Sequence, residues 1–85
     1  MIIDFFAVWC GPCVMIGPKF VQIASENEGK AIFVKVDVDK LEGTSQKCGI
    51  SAMPTFQVWK NGAKVDELVG ASEAKLRELV SKHTN

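Results

Sequence analysis

The apolar run Ile2-Ile3-Asp4-Phe5-Phe6-Ala7-Val8 leads straight into Trp9-Cys10-Gly11-Pro12-Cys13, and the apolar spacing changes there from continuous to helical. A run rich in Ile, Phe and Val, broken only by Asp4, suits a strand over residues 2–8 that is covered on both faces. Beyond it, Cys13, Ile16, Phe20, Ile23 and Ala24 recur at helical spacing, which gives a helix over roughly 11–27, with Gly29 ending the segment. Pro12 fits the first turn, where its missing N–H is not needed; Pro18 falls inside the helix and should kink it. Ile32, Val34, Val36 and Val38 then share one face of a second strand over 31–38. Strand, helix and strand in this order form a βαβ unit, hence a parallel pair with a right-handed crossover.

A polar stretch follows, with a short helix expected at about 41–48. The segments TFQVWK and AKVDELV flank Asn61-Gly62, the turn chemistry of a tight antiparallel hairpin. Ser72 can cap a final helix in which Leu76, Leu79 and Val80 face the core. The order β-α-β-(α)-β-β-α places the chain in the α/β class, as one domain over residues 1–85. Ten basic and ten acidic residues give a net charge of zero, so nothing points to nucleic acid or an anionic membrane as partner. No apolar stretch approaches the roughly 20 residues of a membrane-spanning helix, and the start lacks the basic residues of a signal peptide.

The three cysteines cannot all pair within one chain, and they are too few for the disulfide framework of a small secreted domain. A reducing, cytoplasmic setting follows, with Cys10 and Cys13 kept for chemistry. A cysteine at a helix N-terminus feels the positive end of the helix dipole, which favours the attacking thiolate. Cys10, at the very start, should be more exposed and more acidic than Cys13, one turn in. Two intervening residues let the sulfurs meet, so Cys10 can attack a disulfide and Cys13 can resolve the mixed disulfide. The competing use of such a pair is half a zinc site, but only Cys48 and His83 remain as further soft ligands.

The segment from Asp4 to Cys13 resembles the active-site strand and turn of thioredoxins. Lys35-Val36-Asp37-Val38-Asp39 and Met53-Pro54-Thr55-Phe56 are similar to the family's next two landmarks, and Asn61-Gly62 and Val69-Gly70 also match. The resemblance covers essentially the whole chain and implies a thioredoxin-like, four-stranded mixed sheet of order 2-1-3-4 with flanking helices. It implies reduction of protein disulfides with Cys10 as nucleophile and Cys13 as resolving thiol, no bound cofactor, and electrons from NADPH through thioredoxin reductase. Trp9, Gly11 and Pro12 would shape the surface that meets the substrate. Pro54 would be cis, leaving the backbone of Met53 free to pair with an extended substrate segment, and Gly70 would keep the groove open. Asp4 would be a buried carboxylate that takes the proton of Cys13, its pKa raised by desolvation and opposed by the Lys35 ammonium. Without the resemblance, Asp4 reads as a solvated strand-end residue, Lys35 as an edge-strand charge and Pro54 as the trans start of a strand. Cys48 reads as a structural thiol, Trp59 as a sheet aromatic and His83 as a charge partner at a helix end.

Thioredoxins have a further strand and helix before this segment, roughly 20 residues by ordinary element lengths. Beginning at the active-site strand should leave the 31–38 strand as an exposed edge and one sheet face thinly covered, lowering stability and favouring self-association. Asp4 is then expected to be better solvated, with a smaller pKa shift. Val14 stands where many thioredoxins carry lysine, so the surface beside Cys13, with Val8, should be more apolar and partner choice should change. Gly-Pro between the cysteines favours a reductase over an isomerase or a glutaredoxin. The reading from another class is a truncated thioredoxin-like module that acts by binding, or a poorly active isoform.

Overall fold

The sheet is organised around its first strand. In the computed structural model, which describes residues 1–41, 43, 47–49 and 52–84, β1 (Ile2–Phe6) pairs in parallel with β2 (Phe33–Asp37). On its other side β1 pairs antiparallel with β3 (Thr55–Lys60), which pairs antiparallel with β4 (Ala63–Val69). The order is therefore β2-β1-β3-β4, as expected, with β2 and β4 at the edges. Parallel strands need a crossover, and α1 (Gly11–Glu26) supplies it; α2 (Glu73–Thr84) follows the hairpin. The short helix expected at 41–48 falls in part outside the described residues.

Alternation along the strands builds two cores. Ile2, Phe56 and Val58 face α1 and α2, meeting Ile16, Phe20, Ile23, Leu76, Leu79 and Val80. Phe20 stacks on Phe56 at 5.8 Å and meets Phe33 edge-on at 5.9 Å. Ile3, Phe5 and Val36 form the opposite face, with Val34, Val38, Cys48 and Trp59 packed against them. Arg77 ties the two helices, its guanidinium lying 2.8 Å from Glu26 and 3.0 Å from Glu73.

Local chemistry accounts for the boundaries. Asn61 and Gly62 both have positive φ, 53° and 79°, the combination whose twist matches the flanking strands of a two-residue hairpin. The Ser72 hydroxyl accepts from the Lys75 N–H at 3.3 Å and so caps α2. The first strand is shorter than the apolar run because the Cys10 N–H donates to the Ala7 carbonyl at 3.1 Å, turning the chain off the sheet. Val8 is consequently 69% exposed. Ile32 also departs from expectation: it precedes β2 at the sheet margin and is exposed, while Val34, Val36 and Val38 keep the expected face.

Candidate active site

The turn between β1 and α1 places the two cysteines. Cys10 is the N-cap of α1, with extended backbone, and its Sγ accepts the Cys13 N–H at 3.2 Å, satisfying one of the helix's free donors. The two Cα atoms are 5.2 Å apart and the sulfurs are joined in a disulfide. Cys10 is 7% exposed and Cys13 3%, so Cys10 is the more open of the pair. Ala7 is buried with them, and Phe6, Val38 and Met53 pack against this cluster. Gly11 and Pro12, between the cysteines, are exposed.

Three further elements converge on the dithiol. The Met53–Pro54 bond is cis, Pro54 is buried and Met53 is half-buried against the cysteines. The Gly70 N–H donates to the Pro54 carbonyl at 2.9 Å, which fixes the end of β4 beside this turn. Gly70 has φ of 114°, and a Cβ there would meet nothing, so the space beside it is open. Trp9 lies on the rim, 68% exposed, with its indole N–H donating to Asp39 at 2.7 Å. The Asp39 N–H in turn donates to the Asp37 carboxylate at 2.9 Å. The role of Asp39 in holding Trp9 was not read from the sequence; the signal available was an acidic residue just past the second strand.

Asp4 sits on the α1-facing side of β1, between Ile2 and Phe6, paired in register with Lys35 on β2 and Phe56 on β3. It is fully buried, and neither carboxylate oxygen has a hydrogen-bond partner among the described residues. Burial raises its pKa from 3.8 to about 6, against the opposing pull of the Lys35 ammonium. Asp4 is desolvated where it stands, on a central strand paired on both edges and covered by α1. Lys35 is more than an edge charge, since its ammonium lies 4.7 Å from the centre of the Phe6 ring. Cys48 is a half-buried free thiol, and His83 pairs with Asp66 at 2.8 Å, in the role expected of it. Among the described residues no group of three or more His, Cys, Asp or Glu could hold a metal ion, and no helix is long and apolar enough to cross a membrane.

A dithiol opening the helix that follows the central strand, on a mixed sheet of this order, defines a thiol–disulfide oxidoreductase. Comparison with known proteins agrees. The thioredoxin family model matches residues 1–82. The H-type thioredoxin of Chlamydomonas reinhardtii is 53% identical over 83 residues, spanning 98% of this chain and 74% of the relative. The solved thioredoxin of Malassezia sympodialis superposes with a TM-score of 0.95 at 48% identity, covering 99% of this chain and 74% of that one. Reduced thioredoxin from Schistosoma mansoni gives a TM-score of 0.89 at 55% identity, covering 96% and 76%. The chain belongs to the thioredoxin family, whose members are protein disulfide reductases.

Proposed function

We propose that this chain, as one domain over residues 1–85, reduces protein disulfides in the cytoplasm, with electrons supplied by NADPH through thioredoxin reductase. The Cys10 thiolate attacks one sulfur of the substrate disulfide, forming a mixed disulfide and releasing one substrate thiolate. Cys13 then gives its proton to the Asp4 carboxylate and attacks Cys10 Sγ. The second substrate thiolate leaves, the Cys10–Cys13 disulfide forms, and two electrons have passed to the substrate. Trp9, Gly11, Pro12, Met53, Pro54 and Gly70 form the surface on which the substrate segment lies, with Met53 offering its backbone for strand-like pairing. Lys35 limits how far burial can raise the pKa of Asp4, so that the carboxylate is ionised near neutral pH and able to accept a proton.

The observation that supports this most is the joined pair at the N-terminus of α1, set over a central strand that buries Asp4. The edge strand β2, with exposed Ile32 just before it, supports self-association at high concentration. The test of function is insulin reduction coupled to NADPH and thioredoxin reductase. Turnover should vanish in Cys10→Ser, and Cys13→Ser should accumulate the mixed disulfide. Unchanged biological activity in Cys10→Ser, or activity only with glutathione, would refute the proposal.

A further inference from the structure

Helix α1 carries two apolar stripes, and only one of them is buried. Cys13, Ile16, Phe20 and Ile23 pack inward. Val14, Pro18 and Val21, one step round the helix, face outward, with Val14 60% and Val21 56% exposed. Together with Val8 they line a groove of about 360 Å³ that also reaches Cys13. Phe6, Gly17 and Lys35 also line it. A Cβ at position 17 would lie 3.5 Å from Lys35 Nζ, so a side chain longer than alanine would fill the space before the ammonium. That ammonium lies over the Phe6 ring, pulls on the Asp4 carboxylate through space and forms no direct ion pair among the described residues.

Aliphatic side chains beside an ammonium with no direct ion pair fit one chemistry best, a large apolar side chain next to a carboxylate. A cationic occupant would be repelled, and a wholly apolar one would strip water from the ammonium without replacing its contacts. The volume matches a small side-chain pocket, and its contact with Cys13 sets it alongside the dithiol. We propose that this groove is a second contact site for the proteins whose disulfides are reduced, seating an apolar residue whose acidic neighbour pairs with Lys35. The assignment rests on the reductase reading and names part of what that reductase selects.

The test titrates the oxidised, isotope-labelled full chain with two cysteine-free peptides, acetyl-Ala-Leu-Glu-Leu-Ala-amide and the same peptide with Lys in place of Glu, followed by amide chemical shifts. The acidic peptide should move the Val14, Gly17 and Val21 amides and bind about fivefold tighter, the ratio that a partly exposed ion pair of roughly 1 kcal/mol gives. Val21→Glu should abolish these shifts while leaving reduction of a small aromatic disulfide reagent unchanged. Equal affinity for the two peptides, or shifts only elsewhere, or none, would overturn the proposal. The small-disulfide assay reports on the reductase reading independently, so the two cannot fail indistinguishably.

Discussion

Replacing Asp4 by asparagine keeps the shape of the side chain and removes its proton equilibrium. In the wild type both carboxylate oxygens are buried without partners, and burial carries the pKa from 3.8 to about 6. Below 3.8 the proton is bound in folded and unfolded chain alike, and ionisation costs the fold nothing. Between 3.8 and about 6 the folded chain keeps a proton that the unfolded chain has lost, so stability falls as pH rises. Above about 6 both states are ionised and the full cost is present. At ~1.4 kcal/mol per pH decade, that gap amounts to roughly 3 kcal/mol, a large share of the stability of a small domain. Urea unfolding of the oxidised protein, followed by tryptophan fluorescence across about pH 4 to 8, measures it. Subtracting the wild-type curve from that of Asp4→Asn cancels carboxylates whose pKa is depressed instead, such as Glu26 and Asp66. The advantage of the variant should open from near zero at about pH 4 to roughly 3 kcal/mol at about pH 8, or more than about 10 °C in Tm. A difference that ignores pH, or narrows as pH rises, would refute the assignment of this cost to a desolvated Asp4 carboxylate.

Gly70→Ala should cost roughly 1–3 kcal/mol in urea unfolding, because a φ of 114° suits only glycine. Gly70→Val should in addition raise KM for insulin more than it lowers turnover of a small disulfide. Asp66→Asn should cost less than ~1 kcal/mol in thermal melts at neutral pH, since Lys82 is exposed and Asp66 itself is reached by solvent. The His83 hydrogen bond holds the Asp66 pKa below its ordinary value, so that difference should be present above the unfolded pKa and disappear as pH falls through the folded one. Phe20→Leu should cost roughly 1–2 kcal/mol in guanidinium with an unchanged m-value, short of the ~3–5 kcal/mol of a truncation to alanine.

The features that local chemistry dictates were legible to the residue. Asn61-Gly62 demands two positive φ angles, so both strands of the hairpin lie where the turn puts them. The helical stripe of Ile16, Phe20 and Ile23 likewise needed no tertiary information. Strand ends were less legible. Val8 belongs to the apolar run, and only the Cys10–Ala7 hydrogen bond shows that the chain has already turned away. The surroundings of Asp4 could not be read at all from its neighbours in sequence, because its burial is the work of β2, β3 and α1 together. The same holds for Asp39, whose partner Trp9 is 30 residues away along the chain.

With substrates landing on Trp9 as proposed, its bond to Asp39 bears on what recognition costs. An indole free to swing would have to be immobilised by every partner that lands on it, at a cost in rotamer freedom of about 0.5–1.5 kcal/mol. With one end of the ring tethered and its body left open, that cost falls on folding and not on each encounter. On the substrate surface proposed above, a ring already held in place lets a partner bind without that ordering cost.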